Sequence, residues 1–340
     1  MLPPVDPRSL HIIGFDDRLV EVEALVLRLV GARERSGIQQ MAHEHLSSGG
    51  KRIRARLALA IGDGEGAAPE RMLPWAAAVE ILHNATLVHD DIQDRDEIRR
   101  GQPTLWARHG VGQAINVGDF LLMTPFLALE LIEVDAGTRW ALTQALVTRA
   151  IETVRGQSLE MSLPPAAHED WDAYLTAIRG KTGPLLALPV EGALIVAGTE
   201  SGEARKVADA FVDIGAMYQL CDDIEDIVHG GSGRVPGSDL RSGKVNAAVL
   251  EHLQQEPGSR EVLDVLGRRR LRDDAEAVSL AISAIRGSGA IERVIDRIHY
   301  LADTLLRRPD LLEHAGVRDV ATELVRWILA RAERSRSVVG

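Results

Sequence analysis

Apolar residues recur at intervals of three and four along most of the chain. Between Trp75 and Ile92 they fall at Val79, Leu82, Ala85 and Val88, a spacing that puts side chains on one face of an α-helix. Val20, Leu25, Leu27 and Val30 sit amid Glu and Arg in the same way. Comparable patterns run through 113–132, 139–162, 183–198, 204–228, 273–286, 290–306 and 318–333. Alternating runs, the mark of a half-buried strand, are hard to find. Breakers separate the helical stretches: Gly62 to Gly66, Pro164-Pro165, Gly230 to Gly237, Pro257-Gly258 and Gly287 to Gly289. No repeat of fixed period and no low-complexity linker intervenes. The pattern predicts one large all-α domain over residues 1–340, a bundle of about a dozen helices, with 1–17 and 334–340 loose. A split into two domains at Pro164-Pro165 is the alternative.

The composition suits a large core: 340 residues, 45% of them apolar, with a net charge of -11. An acidic chain without a basic run has little electrostatic reason to bind nucleic acid. One cysteine, Cys221, excludes an internal disulfide and a multi-cysteine metal site, and fits the cytosol. No run of about 18 uninterrupted apolar residues is present, so no membrane span is expected. The first residues, Met1 to Asp6, lack the basic-then-apolar order of a secretion signal. The basic residues divide into 35 Arg and 4 Lys, namely Lys51, Lys181, Lys206 and Lys244. A chain so biased toward Arg keeps Lys where a compact, hydrated point charge is wanted, as at a phosphate.

The sharpest feature is Asp90-Asp91-Ile92-Gln93-Asp94, matched by Asp222-Asp223-Ile224-Glu225-Asp226. Helix positions i and i+4 lie about 40° apart. Asp90 therefore stacks beside Asp94, and Asp222 beside Asp226, at a like-charge cost of about 0.2–0.5 kcal/mol. Both clusters follow apolar runs, so they need a counter-charge. Mg²⁺ fits: it prefers oxygen, keeps waters, and is held by one or two carboxylates plus substrate phosphates. Two such patches could clasp a diphosphate. One DDxxD alone would read as a solvated helix face; two, each on an amphipathic helix, reverse that balance.

Basic residues for phosphate lie nearby. Gly49-Gly50-Lys51-Arg52-Ile53-Arg54 precedes an apolar helix, with Lys51 and Arg54 about one turn apart. Arg99-Arg100-Gly101 is expected to close the first aspartate helix. Lys181-Thr182-Gly183 is expected to open a helix at a turn, and Gly243-Lys244 lies just beyond the second cluster. Other chemistries fit poorly. The stretch from Gly237 to Lys244 has the wrong spacing for a nucleotide P-loop. His43-Glu44-His45 lacks the spacing of a zinc helix and reads as a surface feature. Cys221, beside carboxylates, reads as packing.

Assembled, these residues resemble the trans-isoprenyl diphosphate synthases of the polyprenyl synthetase family. The similarity runs from Gly49 to Lys244 through six motifs in the family's order: Gly-Gly-Lys-Arg-x-Arg, Glu80-x-x-His83, the first DDxxD with Arg99-Arg100-Gly101, Gly156-Gln157, Lys181-Thr182, and Gln219-x-x-Asp222-Asp223-x-x-Asp226 with Gly243-Lys244. The resemblance implies a helical bundle around a central cavity and a cytoplasmic homodimer. It also implies condensation of isopentenyl diphosphate with an allylic prenyl diphosphate, using Mg²⁺ (three ions once diphosphate is bound, or Mn²⁺). By the same resemblance Asp90, Asp91 and Asp94 bind metal from one wall, and Asp222, Asp223 and Asp226 from the other. Arg99, Lys181 and Lys244 hold the allylic diphosphate; Lys51, Arg54, His83 and Arg100 hold that of isopentenyl diphosphate. Thr182 and Gln219 sit near the cation, and Lys206 is a solvated helix residue.

Four residues depart from the family's pattern: Ala55 for Pro, Glu160 for Asp, Arg234 for Lys, and Asn246 for Ser or Thr. In the family the product tail grows beside the first aspartate helix, and a bulky aromatic four or five residues before the first Asp forms a floor. Thr86 and Ala85 stand there, which favours a product of twenty carbons (geranylgeranyl diphosphate) or longer. Trp75 is either a deeper stop or a core residue. The rival readings are a class I terpene cyclase, which would leave Lys51, Arg54, His83 and Arg100 idle, and a non-catalytic subunit, which would have no use for six aspartates.

Overall fold

The computed structural model describes residues 16–31, 37–162, 170–230 and 235–339. In chain order its helices are α1 Asp16–Leu29, α2 Gly37–Leu46, α3 Ile53–Gly64, α4 Pro69–Asp94, α5 Leu105–His109, α6 Val111–Met123, α7 Pro125–Glu130, α8 Ala136–Ser162, α9 Trp171–Ala197, α10 Ser201–Ala208, α11 Ala210–Val228, α12 Ser238–Ser242, α13 Ala247–Gln255, α14 Arg260–Gly267, α15 Arg269–Arg272, α16 Ala275–Gly287, α17 Ala290–Leu305, α18 Pro309–Glu313 and α19 Ala315–Val339. One hairpin, β1 Ile98–Arg99 with β2 Gln102–Pro103, is the only sheet among the described residues. Pro164-Pro165 and Arg234 lie outside the described residues. α19 runs through 334–339, which the sequence reading left loose.

α9 is the axis of the bundle. Residues Gly183 to Val196 are buried on every side, as expected of a helix surrounded by others. It packs against α3, α4, α8, α10 and α11. Two crossings are made backbone to backbone. A Cβ on Gly156 of α8 would lie 2.1 Å from the carbonyl carbon of Gly180, and one on Gly215 of α11 would lie 2.7 Å from the Cα of Gly183. The Gly-Lys-Thr-Gly-Pro stretch is therefore no turn, contrary to the sequence reading. α9 continues unbroken through it, and its glycines serve close helix approach.

Trp75 is fully buried, donates its indole N–H to the Pro189 carbonyl at 3.1 Å, and lies against Gly192. It locks α4 to α9 as a core residue. α4 ends at Asp94, where Arg95 turns left-handed (φ 57), so Arg99 and Arg100 do not cap it as expected. They occupy the hairpin instead. Arg100 (φ 53) and Gly101 (φ 75) form its two-residue turn, which demands positive φ at both positions.

Residues Val111–Glu130 match a membrane span in length and mean hydropathy, 1.2. They form two helices, α6 and α7, broken at Thr124-Pro125 and packed on α4.

The glycine crossing makes a testable statement. Gly156→Ala forces α8 from α9, at a cost of about 1–3 kcal/mol. A lower urea midpoint is expected; an unchanged midpoint would refute the contact.

Candidate active site

The aspartate clusters occupy the last two turns of α4 and α11. Helix C-termini carry partial negative charge, so these carboxylates sit where the backbone disfavours them. Cations delivered by other elements offset this. The hairpin returns Arg99 to Asp91, Nε to Oδ1 at 2.5 Å. Asp91 is buried, and burial pushes its carboxyl up to about 6 even against Arg99. Asp90 is raised by burial as well, with Asp94 adding to it and Lys181 opposing. Lys181 Nζ meets Glu160 at 2.5 Å. Burial works against its charge, but Glu160, Asp90 and Asp94 outweigh it and hold the ammonium above its ordinary range. Glu160, a departure from the family's pattern, thus keeps the carboxylate role.

The two walls meet directly. Lys244, just after α12, reaches Asp94 Oδ2 at 2.6 Å. What aims Lys244 is the second cluster. Asp226 accepts from the backbone N–H groups of Ser238 (3.0 Å) and Asp239 (3.2 Å). Asp223 accepts from Ala247 N–H at 2.9 Å, from Gln219 at 3.0 Å and from the Tyr174 hydroxyl. These bonds tie down both ends of the segment carrying Lys244. Burial, with Asp239 nearby, raises the affinity of both carboxyls for protons. Asn246 caps α13, accepting from Val249 N–H at 3.1 Å. It does there what Ser or Thr would do.

Asp222 is different. One oxygen pairs with Arg331 of α19 at 2.5 Å, and its side chain is 38% exposed. Arg331 also holds Glu225 at 2.7 Å and stacks on Trp327 and Tyr218. No local pattern marked Arg331, Trp327 or Tyr174 in the sequence.

A second cluster is built mostly of cations. Arg54, Arg100 and His83 lie near one another where the start of α3, α4 and the hairpin tip meet, while Lys51 lies 5.1 Å from the Trp327 ring, on the side of Arg331 and Asp222. Among the described residues no carboxylate forms an ion pair with Lys51, Arg54 or Arg100, and Arg54 Nε has no hydrogen-bond partner. Burial, then Arg54, Arg100 and Arg99, lower the His83 pKa, so its ring is neutral. Arg100 donates to the Gly49 carbonyl and lies over Gly50, where a Cβ would come within 2.8 Å of the guanidinium. Arg52 pairs instead with Glu23 (2.9 Å) and Glu80 (3.3 Å).

Beside the hairpin is a cavity of about 350 Å³ lined in part by Asp91, Arg99, Arg100, Ser47 and His45. His45 is buried, not the surface residue expected; burial, then Arg99 and Arg100, push its pKa down to about 3. Cys221 packs as expected, its thiol pushed up to about 12 by burial. Lys206 is exposed on α10. Thr182 donates to Gln219 at 3.3 Å. Gln157 donates to Gln93 at 2.7 Å, bracing α8 against the first cluster. Ala85 is fully buried and Thr86 bonds the His83 carbonyl at 2.8 Å.

Among the described residues no three His, Cys, Asp or Glu side chains converge into a cage. The donors nearby, Asp90, Asp94 and Asp222, are carboxylate oxygens, the ligand type that Mg²⁺ prefers alongside water and phosphate oxygens.

A sequence profile described as polyprenyl synthetase matches residues 35–284. The short chain isoprenyl diphosphate synthase of Methanocaldococcus jannaschii is 33% identical over 252 residues, 73% of this chain and 76% of its own. The geranylfarnesyl diphosphate synthase of Aeropyrum pernix is 31% identical, over 84% of this chain and 90% of its own. The solved geranylgeranyl pyrophosphate synthetase of Geoglobus acetivorans superposes with a TM-score of 0.78 at 26% identity, covering 93% of this chain and 99% of its own.

The unpaired cations should bind inorganic pyrophosphate without metal. Gly50→Ala displaces Arg100 and removes a charge-assisted contact, so affinity by calorimetry should fall on the order of tenfold. Equal affinities would show that Arg100 takes no part.

Proposed function

The chain belongs to the polyprenyl synthetase family, and from that premise we propose that it is a trans-prenyltransferase joining isopentenyl diphosphate to an allylic prenyl diphosphate. One observation supports the reading: Lys244, on the segment that Asp223 and Asp226 hold, reaches Asp94 of the first cluster, as expected of two clusters that border one crevice.

The two cation sets have different tasks. Arg99, Lys181 and Lys244 each carry a carboxylate now, and their charge becomes available to the allylic diphosphate when the aspartates take a new partner. Lys51, Arg54 and Arg100 have no such partner and hold the diphosphate of isopentenyl diphosphate, with neutral His83 as a hydrogen-bonding group. Asp90 and Asp94 on one wall and Asp222 on the other hold Mg²⁺, or Mn²⁺, together with the diphosphate. Asp91 is engaged by Arg99, while Asp223 and Asp226 act by aiming Lys244. When bound, the metal supplies positive charge that makes diphosphate a better leaving group.

The residues then support a simple sequence. The allylic carbon–oxygen bond breaks and its electron pair leaves with the diphosphate, held by Arg99, Lys181 and Lys244. The double bond of isopentenyl diphosphate attacks the allylic carbon, and a proton passes from the condensed product to the departing diphosphate. Thr182 and Gln219, linked to each other and to Asp223, lie along the cation's path. The buried faces of α4, α9 and α11 keep out water, which would quench the cation. Ala85 and Thr86 leave the path beside α4 without an aromatic floor, which supports a product of twenty carbons or longer.

Exposed Met123, Phe126, Leu127, Trp140, Ile151 and Val154 form an apolar face along α6, α7 and α8. So extended a face marks an interface, and a second copy of the chain covers it. The sparing use of cysteine, a single buried Cys221, supports a cytosolic setting.

Purified protein with Mg²⁺, isopentenyl diphosphate and allylic primers should give, by mass spectrometry, all-trans products of twenty carbons or more. Hydrocarbon from the allylic substrate alone would favour a cyclase, and silence a non-catalytic subunit. Ala85→Phe should shorten the product; an unaltered length distribution would remove the floor argument. Val154→Glu should convert dimer to monomer in light-scattering chromatography, and a dimer that survives would place the interface elsewhere.

A further inference from the structure

α19 lies wholly beyond the residues that match the family profile, 35–284, yet it reaches the crevice. Arg331 is 3% exposed. Its Nη2 is shared by Asp222 Oδ1 (2.5 Å) and Glu225 Oε2 (2.7 Å), while Nε meets Glu225 Oε1 at 3.0 Å. The guanidinium lies 4.7 Å from the Trp327 ring centre and 4.9 Å from that of Tyr218. Those rings stack at 5.9 Å with 24° between planes, so two aromatic rings border the guanidinium. Lys51 Nζ lies 5.1 Å from the same Trp327 ring. Cations over aromatic faces are attracted to them, so Trp327 places Lys51 and Arg331 about one ring.

We infer that Arg331 is a positioning residue for the reaction: clamped by Trp327, Tyr218 and Glu225, it grips one oxygen of Asp222 and turns the carboxylate toward the bound metal–diphosphate. The inference rests on the reading of Asp222 as a ligand of that ion. A planar fork suits the task because it spans Asp222 and Glu225 together, as an ammonium does not. Groups that orient a metal-binding carboxylate in this way typically account for about 10–100-fold in metal affinity.

The test is a double-mutant cycle on the full chain, read by calorimetric titration of Mg²⁺ with inorganic pyrophosphate. Arg331→Gln should weaken binding about tenfold. Asp222→Asn should weaken it too, and the double variant should bind no worse than Asp222→Asn alone, because both changes remove one interaction. An unchanged affinity in Arg331→Gln, or additive losses, would overturn the inference. If circular dichroism shows Arg331→Gln unfolded, Arg331→Lys takes its place in the cycle. The expected loss is then smaller and again absent on the Asp222→Asn background; additivity again overturns it. Product formation by the unaltered enzyme is measured in parallel. No product removes the prenyl-transfer reading, whereas an additive cycle in a product-forming enzyme removes only the role of Arg331.

Discussion

The site depends on keeping carboxylates charged at the negative ends of two core helices. Burial acts against the charge of Asp90 and Asp222, with Asp94 adding to it at Asp90 and Glu225 at Asp222, and both stand toward helix C-termini. Arg99 from the hairpin, Lys181 from α9, Lys244 from beyond α12 and Arg331 from α19 each bring a positive charge to them or to a neighbour. Segments far apart in sequence must therefore be folded correctly before the crevice can exist. Removing one partner of a buried pair is costly because the other charge is left behind.

The two cation groups divide the labour electrostatically. Those facing the aspartates are each paired with a carboxylate, yet Arg99, Lys181, Lys244 and Arg331 are fewer than the carboxylates around them, so the crevice keeps a surplus of negative charge that divalent ions would offset. Those between the Gly49-Gly50 turn and the hairpin tip are not neutralised by ion pairs among the described residues. Arg100 sits on a left-handed backbone at the tip of a two-residue turn (φ 53), a conformation sparsely used outside glycine. The strain puts the guanidinium over Gly50, where no side chain intervenes.

Much of this was legible in the sequence because the functional residues violate local rules. Aspartates repeated at i and i+4 after apolar runs, and lysines in a chain that otherwise uses arginine, have no local justification. What stayed hidden had local signals pointing elsewhere. Gly180, Gly183 and Pro184 read as a turn, yet they serve helix crossings buried in the bundle, where packing overrides propensity. The hairpin strands are two residues each, too short for alternation to register. Arg331 is one of 35 arginines on a helix with no motif, and its importance lies in what the fold sets against it. Asn246 looked like a departure, but capping accepts Asn as readily as Ser.

The glycine crossings of α8, α9 and α11 bear on how this scaffold can diversify. Where backbone already touches backbone, no side chain remains to be trimmed, and any added one separates the helices. Those crossings fix the spacing of the three helices. Side-chain size can vary instead where helices meet through side chains, as α4 meets α9 through Trp75. Change in the bundle thus falls to contacts with side chains to spare, while the three crossed helices keep their places.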